Sequence, residues 1–254
     1  MATYQKRGQK RSRNSQNKFQ GESESTTAEV FETLDSTASK TESVVARYQN
    51  HILFFVGVTV LMTLGYIGYQ KFIVQPKANE AVSELNQAQY YFELALNNTN
   101  SDSLFQRALI GGEGRYGFLD IIEVYKGTPA AKLATYSAGM SYLNIRDYEN
   151  AIKYLDEFDS DDIMLSALAK GAIGDAFAQL GQNEEAYEYY VKAFNESKNN
   201  YSTPKYLYKA GMIGAEIGKK SNAIKYFKRI KNEFPNVAEA KLVEVQLGRL
   251  ENSN

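Results

Sequence analysis

The sequence predicts an all-α protein in which one membrane-crossing helix is followed by a stack of helix pairs. Three observations support this fold class. A long uncharged apolar stretch lies near the N-terminus, and a repeat with a period of about 34 residues fills the C-terminal part. The composition also favours helices, because the 254 residues include only 4 Pro, no Trp and 19 Tyr.

The composition also restricts the function. The 29 Lys and Arg residues balance 30 Asp and Glu residues, and such a near-neutral chain is unlike a dedicated nucleic-acid-binding protein. The absence of Cys excludes disulfides, thiolate metal sites and Cys nucleophiles. A Ser nucleophile needs a base, and the single histidine, His51, is predicted at the membrane. We therefore expect a protein that is not an enzyme and has no cofactor.

Two segments precede the apolar stretch. Residues 1–25 are polar, with six basic residues before the first acid, Glu22, and are predicted to be a disordered basic tail. This tail either contacts anionic lipid headgroups or only sets the topology of the chain. In residues 26–50, Thr26 and Glu29 have the spacing of a capping box, and apolar residues then recur at helical intervals. This second segment is predicted to be an amphipathic cytoplasmic helix.

Residues 51–74 are predicted to form a transmembrane helix. No Asp, Glu, Lys or Arg occurs from Tyr48 to Gln70, and about 20 such residues span a bilayer. A buried core helix is the alternative interpretation. The basic tail predicts a cytoplasmic N-terminus, which would put residues 75–254 outside the cytoplasm. Three glycines could allow close helix packing within the membrane: Gly57, Gly65 and Gly68.

Residues 75–254 contain three aligned blocks. Their signature alanines, at 151, 186 and 223, lie 35 and 37 residues apart. The other aligned positions are Gly139, Tyr142, Tyr148, Leu155 and Phe158, then Gly174, Phe177, Gly181, Tyr190 and Ala193, then Gly211, Gly214, Gly218, Phe227, Ile230 and Pro235. Small residues where paired helices meet and large residues between them are the tetratricopeptide pattern.

The pattern predicts about four repeats in total. A degenerate unit would precede the three blocks, with a first helix at about 78–97, a second at 117–129, and an insertion between them. A helix at about 237–250 would cover the open end of the stack.

The first helices of such a stack line a groove. The predicted partner-binding residues in it are Tyr136, Met140, Leu143, Asp175, Tyr208 and Met212. Because these residues are mostly apolar, we expect an apolar segment of a partner rather than a C-terminal carboxylate as the ligand. The alternative is that several of these side chains are packed between helices. Opposite net charges, −9 over 147–188 and +8 over 192–231, could orient a docking partner.

Two other motifs have structural explanations. Gly111-Gly112-Glu113-Gly114 lacks the Lys-Ser/Thr of a phosphate loop and is predicted to be a flexible turn. The carboxylates between 156 and 162 lack the glycine and terminal glutamate of an EF-hand, so they predict a turn between repeats with a helix start at 161–162.

The chain resembles the YfgM-like family of bacterial inner-membrane proteins in having a polar tail, one membrane span and a tetratricopeptide domain. The residues that carry this resemblance are the repeat positions given above. This resemblance covers roughly residues 45–250. It implies a single-pass protein with a cytoplasmic N-terminus and a periplasmic repeat domain, ancillary to the SecYEG translocon and working with a PpiD-type chaperone on nascent clients. Two alternatives stay open, namely a scaffold for envelope assembly or division, and a membrane-tethered regulator that sequesters a cytoplasmic factor through residues 1–50.

Overall fold

The computed structural model describes residues 26–99, 101–196 and 198–252. The chain divides into two compact units, one ending at Tyr66 and the other starting at Ile67. Throughout these three ranges the secondary structure is helical, and the one strand-like feature there is an isolated bridge between Gly112 and Arg115. The all-α fold class is therefore confirmed. The predicted basic tail lies outside the described residues.

The first helix, α1, spans Thr26–Tyr69 and begins where the sequence predicts a capping box. A π-helical segment, Gln70–Val74, follows it. Among the described residues, one helical stretch, Val45–Leu96, is long and apolar enough to cross a membrane by length and composition. The most apolar part of this stretch is not buried inside the protein. Large apolar side chains such as Phe54, 73% exposed, point outward from this helix.

Three helices lie between the π-helical segment and the repeats, and they share one apolar core with α5. Their bounds are α2, Gln75–Leu96; α3, Asp102–Ile110; and α4, Phe118–Val124. The predicted insertion between two helices is thus itself helical over α3. Its apolar residues Phe105, Ala108 and Leu109 recur on one face and are buried. The degenerate repeat at the start of the stack therefore has three helices, whereas the sequence pattern predicts a pair.

Three antiparallel helix pairs and a final helix follow. Their bounds are α5, Pro129–Asn144, with α6, Tyr148–Glu157; α7, Ile163–Gln179, with α8, Asn183–Glu196; α9, Ser202–Glu216, with α10, Lys220–Glu233; and α11, Ala238–Asn252. The first helices of successive pairs are neighbours, so α5 contacts α7 and α7 contacts α9.

One glycine in each first helix allows the two helices of a pair to approach closely. A Cβ atom on Gly139 would lie 2.5 Å from Leu155, one on Gly174 would lie 2.7 Å from the Tyr190 ring, and one on Gly211 would lie 2.4 Å from the Phe227 ring. The signature alanines of the second helices are fully buried. Small residues at the crossing and one large side chain above them therefore explain the sequence repeat.

The turn within each pair has the same backbone geometry. The second residue after the first helix is left-handed: Arg146 has φ 64°, Gly181 has φ 73° and Gly218 has φ 79°. The following amide donates to a carbonyl five residues earlier, at N···O distances of 2.9, 2.9 and 2.7 Å. This is the Schellman arrangement, which satisfies carbonyls at the helix end.

The last helix, α11, closes the stack as predicted. Its side chains Ala240, Val243 and Leu247 are buried in a cluster with residues of α9 and α10, including Leu207, Phe227 and Ile230. Without this helix the apolar outer face of the third pair would be exposed to water.

Candidate functional site

The surface shared by the first helices contains an open cleft of about 490 Å³. The walls come from the C-terminal ends of α5 and α7, the middle of α9, the first residue of α6 and the middle of α8. The lining residues are Leu143, Asn144, Arg146, Tyr148, Asp175, Ala178, Gln179, Tyr190 and Lys209. Most of these residues carry hydrogen-bonding or charged groups, so the cleft is more polar than the sequence pattern predicts.

A polar cluster centred on Asp175 fixes one wall of the cleft. The Tyr190 hydroxyl donates to Asp175 Oδ1 at 2.7 Å, and Lys209 Nζ donates to the same oxygen. The ammonium group of Lys209 also lies 5.6 Å from the centre of the Tyr190 ring. Since these residues come from α7, α8 and α9, the cluster ties two successive repeats together and holds the wall in place.

Burial, with the neighbouring Asp175 carboxylate as a second cause, raises the pKa of Tyr190 far above its ordinary value. A phenol is neutral at physiological pH even at its ordinary pKa, and the raised pKa of Tyr190 keeps its hydrogen bond to Asp175 in more alkaline solution as well. Burial likewise raises the pKa of Tyr206, whose ring stacks on Tyr190 with centroids 6.3 Å apart. The two rings form a rigid, uncharged support behind the polar wall.

Tyr206 also determines the shape of the shared surface. Its ring lies against Gly171, where a Cβ atom would come within 2.0 Å of the ring. The Tyr206 side chain is therefore accommodated only because position 171 has no side chain, and it fills the space between α7 and α9. The open part of the surface lies beside it, at the polar cleft.

Of the predicted partner-binding residues, the structure brings only Leu143 and Asp175 into the cleft. Tyr136 and Met140 pack instead around the Leu155 cluster, with the Tyr136 ring 5.3 Å from that of Phe158.

Tyr208 and Met212 pack against the core of the last two repeats, with Tyr208 5.9 Å from the Phe227 ring. Like Tyr136 and Met140, these side chains are half-buried between helices, which is the alternative that the sequence leaves open.

Sequence reasoning missed the polar residues Asn144, Arg146, Gln179 and Lys209. One feature of the sequence points to Arg146. This residue occupies the turn position at which the other two repeats carry Gly181 and Gly218. A residue with a side chain is rare in this backbone conformation, so an exception beside a cleft marks a candidate functional residue.

The three glycines that the sequence predicts to allow helix packing in the membrane, Gly57, Gly65 and Gly68, lie in α1. A Cβ atom on any of them would meet nothing within 4 Å. Gly57 and Gly68 are eleven residues apart, which is close to three helical turns, so they share one face of the helix. Close packing of a second helix against these glycines stays a prediction.

The acidic segment 156–162 acts as a turn and a helix cap. Asp162 Oδ1 accepts hydrogen bonds from the amides of Met164 at 2.8 Å and Leu165 at 3.2 Å. Across the described part of the chain, no group of three or more acidic or histidine residues is arranged to hold a metal ion.

The glycine-rich segment is a tight turn held by ion pairs. Gly111 and Gly114 have φ 78° and 76°, and Arg107 pairs with Glu113 across the turn. Arg115 pairs with Glu84 of α2 at 3.2 Å. These ion pairs thus fasten the turn to α2 and α3.

Models of the tetratricopeptide repeat match three parts of the chain, residues 134–159, 167–200 and 205–236. The matches coincide with the pairs α5–α6, α7–α8 and α9–α10. No curated protein matches the sequence. The C-terminal region is therefore a stack of tetratricopeptide repeats, and domains of this type bind protein partners.

Proposed function

We propose that this chain is a single-pass inner-membrane protein whose tetratricopeptide domain binds polypeptides in the periplasm. One observation carries the proposal. The polar cleft of about 490 Å³ is built across two successive repeats and the first helix of a third, and one helix of membrane-spanning length is found among the described residues. The amides of Asn144 and Gln179 and the guanidinium of Arg146 suit the carbonyl and amide groups of an extended polypeptide.

The membrane anchor would make this binding effective. Tethering holds the cleft near the membrane surface and raises the local concentration of the domain around membrane partners. The resemblance to the YfgM-like family supports SecYEG and a PpiD-type chaperone as those partners. In this proposal the domain works as an ancillary subunit of the translocon on polypeptides that emerge from it.

Site-directed photo-crosslinking tests the proposal. A photoreactive residue replaces Gln179 in the cleft, and the control carries it at Lys225, an exposed position of α10 outside the cleft. In growing cells, the Gln179 variant should form adducts with translocon subunits, the chaperone or secreted proteins, and the Lys225 variant should not.

Other adducts would favour the other functions. Envelope-synthesis enzymes recovered specifically from the Gln179 variant would support the scaffold. Complete loss of function on deletion of residues 1–50, with no cleft adduct, would support the regulator that acts in the cytoplasm. Equal adducts from both positions would refute a role for the cleft.

A further inference from the structure

A second cavity lies between the first two repeats, away from the cleft. It has a volume of about 540 Å³ and opens beside the N-terminal ends of α5 and α7. The apolar wall consists of Pro129, Leu133, Phe158 and Leu165. None of its lining residues takes part in the cleft.

The cavity is preformed because the loops around it are held by helix caps. Thr128 Oγ1 accepts the amide of Ala131 at 3.2 Å at the start of α5. At the start of α7, the cap by Asp162 holds the loop that carries Phe158. The Phe158 side chain is held in turn by its ring contact with Tyr136. A partner would therefore meet an ordered apolar site and would not have to order it.

The rim of the cavity is acidic. Asp161 and Asp162 line it together with one base, Lys132. The loop that borders it, residues 158–162, contains three acidic residues and no basic residue. Apolar surface continues into the first turn of α7, where Ile163 is 60% exposed and Met164 is 39% exposed.

From this charge pattern we propose that the cavity binds an extended segment of a partner protein in which an apolar side chain is flanked by Lys or Arg. The apolar side chain would displace water from Leu133, Phe158 and Leu165, and the flanking cations would lie at the carboxylates of Asp161 and Asp162. An uncharged segment would gain the apolar contact alone, and an acidic segment would also be repelled by the two carboxylates. The site is separate from the cleft, so this inference and the proposed function can fail independently.

The test uses the full-length protein in detergent and three fluorescein-labelled peptides. The peptides are Gly-Lys-Leu-Phe-Lys-Gly, its charge-reversed form Gly-Glu-Leu-Phe-Glu-Gly, and Gly-Lys-Ser-Asn-Lys-Gly, which lacks the apolar pair. In fluorescence polarisation, the first peptide should bind at least about tenfold more tightly than either of the others, and its affinity should fall with added salt.

Two variants, each of which lacks two carboxylates, distinguish the effect of the acidic rim from that of the negative charge of the whole region. Asp161→Asn with Asp162→Asn should weaken binding of the first peptide about fivefold, and Asn still caps the helix at position 162. Glu184→Gln with Glu185→Gln removes two carboxylates from α8 of the same acidic region, outside the cavity. This control should bind the first peptide as the unmodified protein does.

A third variant tests the apolar wall. Leu165→Ser should weaken binding of the first peptide at least about fivefold, with helicity checked by circular dichroism. If the three peptides bind equally, or if the Asp161/Asp162 variant and the Glu184/Glu185 variant lose affinity equally, the proposal is wrong. It is also wrong if no peptide binds and the Asp161/Asp162 variant instead dissociates a dimer, because the occupant would then be a second copy of this chain.

Discussion

At the scale of single residues, Arg146 has an energetically unfavourable backbone conformation and also lines the cleft. Its φ of 64° is the conformation that Gly181 and Gly218 adopt in the equivalent turns. Because a residue with a Cβ atom is strained there, Arg146→Gly should stabilise the protein by about 0.5–1 kcal/mol. Thermal unfolding of the full-length protein in detergent measures this change. Crosslinking from position 179 in the same variant should become weaker.

The reciprocal change provides the control. Gly181→Arg puts a side chain at the same turn position of the second repeat, outside the cleft, and should destabilise the protein by about 1–2 kcal/mol. If Arg146→Gly instead lowers the melting temperature, the strain at this turn is not what distinguishes Arg146 from the glycines.

Gly171 makes a second prediction at this scale. A Cβ atom there would lie 2.0 Å from the Tyr206 ring, which is 2% exposed and cannot move outward without losing its stack on Tyr190. Gly171→Ala should therefore destabilise the protein by about 1–3 kcal/mol through overpacking, as measured by thermal unfolding. Gly248→Ala is the control. This glycine lies in α11 with open space at its Cβ position, so the change should stabilise the helix by about 0.5–1 kcal/mol.

At the scale of elements, the sequence predicts the three repeats well because their spacing records a packing constraint. Gly139, Gly174 and Gly211 must be small for the paired helices to touch, so the constraint is visible as a period. No such constraint marks α3. This helix of nine residues has only a short apolar face, and the glycines that follow it are typical of a loop sequence.

The candidate site was less predictable for a related reason. Helical spacing identifies the turn of a helix on which a side chain lies, but it does not show which neighbour that turn contacts. Tyr208 and Met212 lie outside the cleft and pack against the core instead. Lys209, next to Tyr208, reaches Asp175 on another helix, and this long-range pairing has no counterpart in local sequence spacing.

The capping helix α11 offers a prediction with its own internal control. Leu247 is 8% exposed and packs against the last pair, whereas Val245 is 58% exposed. Leu247→Ala should cost about 2–5 kcal/mol, because it leaves a cavity in the terminal core. Val245→Ala should change the free energy of unfolding by less than about 0.5 kcal/mol. Equal effects of the two changes in thermal unfolding would show that α11 does not close the stack.

An ion pair between α7 and the end of α8 makes the stability pH-dependent. Hydrogen bonds from Lys170 and Ser166 lower the pKa of Glu196 below its ordinary value of 4.5. The ionised carboxylate therefore contributes stability above pH 4.5, and this contribution is lost as the pH falls through the folded-state pKa. Glu196→Gln should lower the melting temperature at pH 7 by about 2–4 °C and have no such effect below that pKa.

Thermal unfolding of the Glu196→Gln variant and of the unmodified protein between about pH 7 and pH 3 measures this difference in melting temperature. In a Lys170→Met background, Glu196→Gln should have a smaller effect at pH 7, because the main partner of the carboxylate is already absent. A difference that is the same at both ends of this range would rule out the ion pair as its origin.

At the scale of the whole molecule, the proposed function requires the repeats and the N-terminal tail to lie on opposite sides of the membrane. The absence of Cys makes this directly measurable, because one introduced cysteine is the only thiol in the chain. Ser221→Cys labels an exposed position of α10, and Ser15→Cys labels the basic tail. In right-side-out spheroplasts, a membrane-impermeant maleimide should modify position 221 at once and position 15 only after the membrane is permeabilised.

The reason for this expectation is the distribution of positive charge. The tail carries six Lys and Arg residues before its first acid, and basic segments are retained in the cytoplasm during insertion. The residues next to the span contribute little, since Lys40 and Arg47 on one side balance Lys71 and Lys77 on the other. Replacing the six basic residues of the tail with Gln should therefore produce a mixed orientation, with both cysteines partly labelled in intact spheroplasts. If position 15 is labelled first in the unmodified tail, the repeats face the cytoplasm, and a role beside polypeptides emerging from the translocon is refuted.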